Sequence, residues 1–303
     1  MDLYCCESAE NEIRAYDDPT LLQDRVLRNL LKTEDRYVLP INASLAVQKE
    51  VTAEMRKIVA EWMMEVCEEQ KCQDEVFSLA MNCMDRFLMC CSIMKNQLQL
   101  LGTTCLLLAS KLRESRPLAG ETLVYYTDHS IRRDQLWNWE LLVLSKLKWD
   151  ISAVTPHDFL KHLLSRLLEK DWNIGYKRVH NHAKTIITLC ATEFVFSRYC
   201  PSIIACASVA SALCGVGWTY KSGHTLEQLL QRLTAITNIE MDYVKECLNK
   251  IDQMIKDSSA LPGEDFKSVN GTARPGEFTP PPLEKNQEHN TALTPTDVHD
   301  IHF

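Results

Sequence analysis

Leu3, Cys5 and Glu7, in the opening stretch MDLYCCESAE, sit at strict two-residue spacing. In an extended backbone alternate side chains point the same way, so these three line one face of a strand-like peptide. That is the chemistry of docking rather than of bond-making. The other reactive groups are 13 cysteines and nine histidines. No CxxC pair occurs, and the adjacent pairs Cys5-Cys6 and Cys90-Cys91 cannot easily close a tetrahedral zinc site. His157 and His162 stand five apart, so there is no HExxH, and neither a glycine-rich phosphate loop nor a nucleophile elbow is present. These patterns imply no metal, no cofactor and no catalysis by the chain alone. The odd cysteine count and an N-terminus carrying Asp2, Glu7, Glu10 and Glu12 predict no secretory leader, a reducing compartment and free thiols.

Positioning a docking face requires a folded body, and the composition supplies one. Of 303 residues 46% are hydrophobic and 24% charged, the balance of a globular protein with room for two ordinary domains plus tails. The net charge of -8 argues against a nucleic-acid partner, because phosphate-backbone binders carry a clustered basic excess. Ile203 to Trp218 has no charge, yet it is shorter than the roughly 20 residues a membrane span needs, and its small residues suit a helix packed on all sides. No membrane contact is expected. Six of the eleven prolines fall after Leu261, and the stretch 258–303 is too poor in large apolar residues to offset its ordering entropy, which predicts disorder.

Between these ends the periodicity is helical. LLQDRVLRNLL (21–31) and MRKIVAEWMMEVCEEQ (55–70) repeat apolar residues at three and four residue steps, and β-branched runs bounded by turns are missing. Pro40, Pro117, Pro156 and Pro201 fall between predicted helices or in their first turns, and Thr155-Pro156-His157-Asp158 reads as a helix start. LLGTTCLLLASKL and PSIIACASVASAL superpose at an offset of 101 residues, matching Cys105 to Cys206, Ala109 to Ala210, Ser110 to Ser211 and Leu112 to Leu213. Each stretch could be the central helix of its own bundle. The expectation is an all-α chain with two tandem helical domains of similar plan, joined near LKWDISAVTP.

Three stretches carry a specific resemblance: MRKIVAEWMMEVCEEQKC (55–72), AMNCMDRFL (80–88), and LQLLGTTCLLLASKLRE (98–114) followed by WELLVLSKLKWDISAVTPHDF (139–159). With Arg56, Asp85, Leu100, Lys111 and Glu140 at the family's spacing, the chain resembles a cyclin, and within that family a D-type cyclin. The resemblance implies two tandem five-helix cyclin-box bundles with flexible tails. The division is 1–20 as an N-terminal tail, 21–152 and 153–257 as the two boxes, and 258–303 as a disordered regulatory tail. It also implies a regulatory subunit of a serine/threonine kinase, not an enzyme, that activates a G1 cyclin-dependent kinase of the 4 or 6 type, directs it to the retinoblastoma protein and promotes the G1/S transition.

Several residue roles follow from the resemblance. Lys111 and Glu140 would grip the kinase and hold its mobile helix in the active arrangement; read without the family they are a helix-end cation and a surface acid. Arg56 and Asp85 would pair inside the first box as scaffold. Met55, Ile58, Val59 and Trp62 form one helical stripe, which by spacing alone reads as core. In cyclins part of it is an apolar groove for Arg-x-Leu peptides of substrates and kinase inhibitors, with Glu65 and Gln99 nearby. Lys57 and Val59 depart from the commonest form, Met-Arg-Ala-Ile-Leu, which points to a weaker or differently selective groove. Leu3, Cys5 and Glu7 would engage the retinoblastoma pocket. In ALTPTDVHDIHF, Thr294, with Thr296 beside it, would be phosphorylated to bring export and a ubiquitin ligase, so the chain would shuttle between nucleus and cytoplasm. Two rivals remain at this stage: an enzyme, which the missing motifs disfavour, and a transcription-factor or transcriptional-kinase relative with the same double bundle; the acidic charge disfavours a DNA-bound relative, and the N-terminal tag and the TPTDV tail disfavour both.

Overall fold

The computed structural model describes residues 18–40, 45–168, 173–218 and 223–260. Among these every regular element is helical: α1 Asp24–Thr33, α2 Ala53–Glu69, α3 Asp74–Cys90, α4 Leu98–Arg113, α5 Gly120–Tyr126, α6 Arg133–Lys146, α7 Pro156–Leu167, α8 Asn173–Thr192, α9 Pro201–Gly215, α10 Leu226–Thr237 and α11 Met241–Ala260. Helix α11 thus runs three residues past Asp257, where the composition places the end of the fold. Leu3, Cys5, Glu7, Thr294 and Thr296 lie outside the described residues.

Two cores organise these helices. Helices α2 to α6 enclose the first, in which α4 packs on α2, α3 and α6. Helices α7 to α11 enclose the second, in which α9 packs on α7, α8, α10 and α11. The superposed stretches of the sequence are the centres of these cores: α4 is buried from Leu100 through Ser110 and α9 from Pro201 through Ala210. Such helices are apolar all round because they are covered all round. No described helix is long and apolar enough to cross a membrane.

Local chemistry sets the helix starts. Pro156 and Pro201 occupy first turns, and the Asp158 carboxylate accepts from the Thr155 N–H at 2.7 Å, satisfying an orphan donor of α7. The approach of α2 to α4 requires Gly102, since a Cβ there would meet Met63 Sδ and Val59 Cγ1 at 2.9 Å.

Helix α1 falls in the stretch that the sequence division groups with the first box, yet its apolar face packs on the second core. Leu27 is buried in the second core, with Leu30 and Leu31 packed against it. Its amphipathic stripe specifies that one face is covered but not by which bundle. The turn after it supplies a lock: the buried Glu34 carboxylate accepts from the Ser202 N–H at 2.8 Å and from the Ser202 hydroxyl at 2.6 Å, capping the start of α9. Burial pushes the Glu34 carboxyl up to about 7.

Candidate functional site

Arg56 lies on the inward face of α2 with Ala60, Met63, Val66 and Cys67. Its side chain is 1% exposed and that of Asp85, on α3, 5%. The guanidinium makes a two-pronged contact, Nε to Oδ1 at 2.6 Å and Nη2 to Oδ2 at 2.8 Å. Its remaining donors reach the C-terminal end of α8, to the carbonyls of Thr192 at 2.6 Å and Ala191 at 3.1 Å, and Phe194 stacks under it at 5.5 Å. The pair therefore registers α2 on α3 and also joins the first bundle to the second. The cavity beside it holds about 80 Å³, room for two or three waters and too little for a peptide or cofactor.

Lys111 and Glu140 form a second pair of opposite character. Lys111 closes the last turn of α4, Glu140 sits mid-way along α6, and Nζ contacts Oε1 directly. The lysine side chain is 47% exposed and the glutamate 17%. Around them Leu112, Trp137 and Leu141 are exposed, and the Arg133 guanidinium lies over the Trp137 ring at 4.5 Å. The motif reasoning missed these three. For Trp137 and Leu141 the signal was the run LWNWELLVL, which carries apolar residues on every side of a helix that covers only Leu136, Val143 and Leu144 fully.

The stripe Met55, Ile58, Val59 and Trp62 is not the buried face of α2, contrary to what spacing alone suggests. Ile58 is 65% exposed, and Met55, Val59 and Trp62 are partly buried against the first core. The shift has a simple cause: Arg56, Ala60, Met63 and Cys67 take the inward positions, one step round the helix. The Trp62 indole N–H donates to the Tyr126 carbonyl at 3.3 Å, and Gln99, on α4, accepts from the Ser130 hydroxyl at 3.4 Å. Glu65 is exposed on the same helix. These positions form an apolar shelf with polar ends, as a docking surface for an extended peptide requires. Lys57 points elsewhere, pairing with Glu193 beyond the end of α8.

Comparison with known proteins agrees with this architecture. The model of the cyclin N-terminal domain matches residues 25–152, and that of the cyclin C-terminal domain residues 154–269. The chain belongs to the cyclin family. It is 45% identical to human G1/S-specific cyclin-D3 over 305 residues, covering 100% of both chains. It is 43% identical to rat G1/S-specific cyclin-D2, covering 99% of each, and 41% identical to mouse G1/S-specific cyclin-D1, covering 99% of this chain and 98% of that one. A viral cyclin from herpesvirus saimiri superposes with a TM-score of 0.67 at 24% identity, covering 77% of this cyclin and 98% of the viral chain, which establishes the shared fold.

Proposed function

We propose that this cyclin is the activating subunit of a cyclin-dependent kinase of the 4 or 6 type at the G1/S transition, and that it directs the kinase to the retinoblastoma protein. The observation that carries the reading is the Lys111–Glu140 pair set among exposed Leu112, Trp137 and Leu141 on a D-type cyclin scaffold. Exposed apolar side chains around a solvent-reachable ion pair have the make-up of an interface core with a charged anchor. To activate, such a surface must bind the active arrangement of the kinase more tightly than the inactive one. Lys111 and Glu140 arrive paired, so a kinase would take over their bonds rather than meet bare charges.

The remaining roles join this proposal. The shelf of Met55, Ile58, Val59 and Trp62, with Glu65 and Gln99, would dock Arg-x-Leu peptides of substrates and inhibitors. Leu3, Cys5 and Glu7 would recruit the retinoblastoma protein. Thr294, with Thr296, would take the phosphate that brings export from the nucleus and a ubiquitin ligase. The test is phosphorylation of a retinoblastoma C-terminal fragment by a G1 cyclin-dependent kinase co-expressed with the full chain, wild type against Lys111→Glu. Wild type is expected to co-purify and activate, and the folded variant to lose at least about tenfold of both, which is roughly 1.4 kcal/mol of contact free energy. A wild-type chain that binds no such kinase would overturn the reading.

A further inference from the structure

Helix α2 ends in a turn that brings two cysteines together. Lys71 is left-handed at φ 53°, and the Cys72 N–H donates back to the Cys67 carbonyl at 2.9 Å, the six-to-one bond of a Schellman turn. The path from Cys67 Cα through its carbonyl oxygen, across that bond and along the Cys72 N–Cα bond is at most about 6.8 Å even fully stretched. Disulfides span Cα separations of about 4.4–6.8 Å, so the turn brings the two backbones within disulfide range. The two thiols also influence one another: hydrogen bonding between them pushes Cys67 up and draws Cys72 down.

The surroundings differ for the two. Cys67 is buried against the first core, whereas Cys72 is half-buried, and both line a cleft of about 490 Å³ between α2 and α8. Facing Cys72 are Lys71 and Glu68 of its own turn, Asp74 of α3 paired with Lys184 of α8, and Glu114 just past α4. Burial and the Glu114 charge raise the Cys72 thiol, and the Cys67 contact outweighs both. At the buried Cys83, Cys105 and Cys206 burial is the largest influence, and it pushes all three thiols up despite the Arg86 charge near Cys83 and the Thr237 hydrogen bond at Cys206.

We propose that Cys67 and Cys72 are a peroxide-sensitive dithiol, with Cys72 as the attacking and Cys67 as the resolving thiol. The Cys72 thiolate attacks one oxygen of hydrogen peroxide, breaking the O–O bond, forming a sulfenic acid and releasing hydroxide. The Cys67 sulfur then attacks the sulfenyl sulfur, the S–S bond forms, hydroxide leaves and the Cys67 proton neutralises it. Two thiols and one peroxide give one disulfide and two waters, and a small thiol such as glutathione reverses the change by exchange. The same turn is tied to the end of α4, the helix that carries Lys111 of the proposed kinase contact, because the Gln73 N–H donates to Glu114 Oε1 at 2.5 Å.

The test uses the full chain, treated with stoichiometric hydrogen peroxide, unfolded in urea, alkylated with N-ethylmaleimide and cleaved by trypsin, which separates Cys67 from Cys72 at Lys71. The expected product is peptide 58–71 joined to peptide 72–86, with Cys83, Cys90 and Cys91 still alkylated. In unoxidised protein Cys72 should alkylate at least about fivefold faster than the exposed Cys90, as its thiolate character requires. Cys67→Ser should stop the reaction at a Cys72 sulfenic acid that dimedone traps, and Cys72→Ser should leave Cys67 reduced. Linkage of Cys72 to another cysteine, oxidation of Cys90 before Cys72, or dimedone labelling of Cys67 in the Cys72→Ser chain would each overturn the proposal. The peptide map of the wild type needs no variant to fold.

Discussion

Two cation–carboxylate pairs in the first bundle have nearly the same chemistry and opposite surroundings. Arg56–Asp85 is sealed between α2, α3 and the end of α8, with its donors spent on Asp85 and on the carbonyls of Ala191 and Thr192. Lys111–Glu140 makes one contact at the surface, beside exposed Leu112 and Leu141. Burial turns the first into a joint: desolvation of either partner alone is so costly that the two stay together, and their neighbours with them. Exposure leaves the second free to exchange, since water and a protein partner compete for it on similar terms. A pair of charges is scaffold or contact according to what covers it.

The largest expected effect breaks the buried joint. Arg56→Ala leaves Asp85 with no guanidinium, and the Ala191 and Thr192 carbonyls lose their donors. The expected loss is about 3–5 kcal/mol, a large share of an ordinary domain's stability, read as a drop in denaturant midpoint or as insoluble expression. Removing both charges with Arg56→Met and Asp85→Leu should recover a substantial part, because no orphan charge remains. If the single variant unfolds no more readily than wild type, the pair is not the joint described here.

His157 sharpens the comparison, being buried without partners where Arg56 is buried with four. Neither ring nitrogen has a hydrogen-bond partner among the described residues, and burial lowers its pKa to about 4. Asp74 acts weakly the other way, while Lys184, His180 and Arg113 add to the lowering. Between its ordinary 6.5 and about 4 the unfolded chain binds more protons at this site than the folded one, so stability falls as pH falls through that window. The full effect is on the order of 3 kcal/mol. Glu34 acts oppositely, since a carboxyl raised from 4.5 to about 7 costs stability as pH rises through that range. The measurement is therefore a difference: the gap between wild type and His157→Leu in urea titrations should change in favour of the variant on going from pH 7 to pH 4.5.

Lys111 comes next and tests the exposed side. Lys111→Ala should change the unfolding free energy by less than about 1 kcal/mol, the range of a surface pair, while kinase activation falls at least about tenfold. A variant that unfolds as readily as Arg56→Ala would erase the distinction between joint and contact.

How far the sequence foretells this arrangement depends on the distance over which each choice is made. Helix periods, the Pro156 and Pro201 starts and the central status of α4 and α9 are local, so composition and offset carry them. The partner of α1, the Glu34 cap on Ser202 and the reach of Arg56 to Thr192 join residues more than a hundred positions apart, and no local pattern encodes them. The shelf on α2, which the family resemblance names, was hidden from spacing alone for a different reason. An apolar stripe normally marks the buried face, and here an arginine with a buried partner takes that place instead. Lys71 in a left-handed turn, where glycine is the usual choice, likewise conceals how near Cys67 and Cys72 lie.

The smallest expected effect concerns Lys57, next to Arg56 and also reaching toward the second bundle. Its partner Glu193 adjoins Thr192, which accepts from Arg56, so two consecutive residues of α2 grip two consecutive residues at the end of the same helix. The side chains of Lys57 and Glu193 are 45% and 30% exposed, which places the pair with Lys111–Glu140 energetically although it lies with Arg56–Asp85 in space. The Glu193 hydrogen bond raises the Lys57 pKa, so the lysine stays charged through the neutral range. Lys57→Ala should cost less than about 1 kcal/mol and lose most of that difference in high salt, unlike Arg56→Ala. It should also leave the affinity of an Arg-x-Leu peptide within about twofold of wild type, because the lysine turns toward Glu193 and away from Ile58 and Trp62. A larger change in peptide affinity would return Lys57 to the groove, and its departure from the commonest cyclin motif would then bear on selectivity rather than on how the two bundles are held.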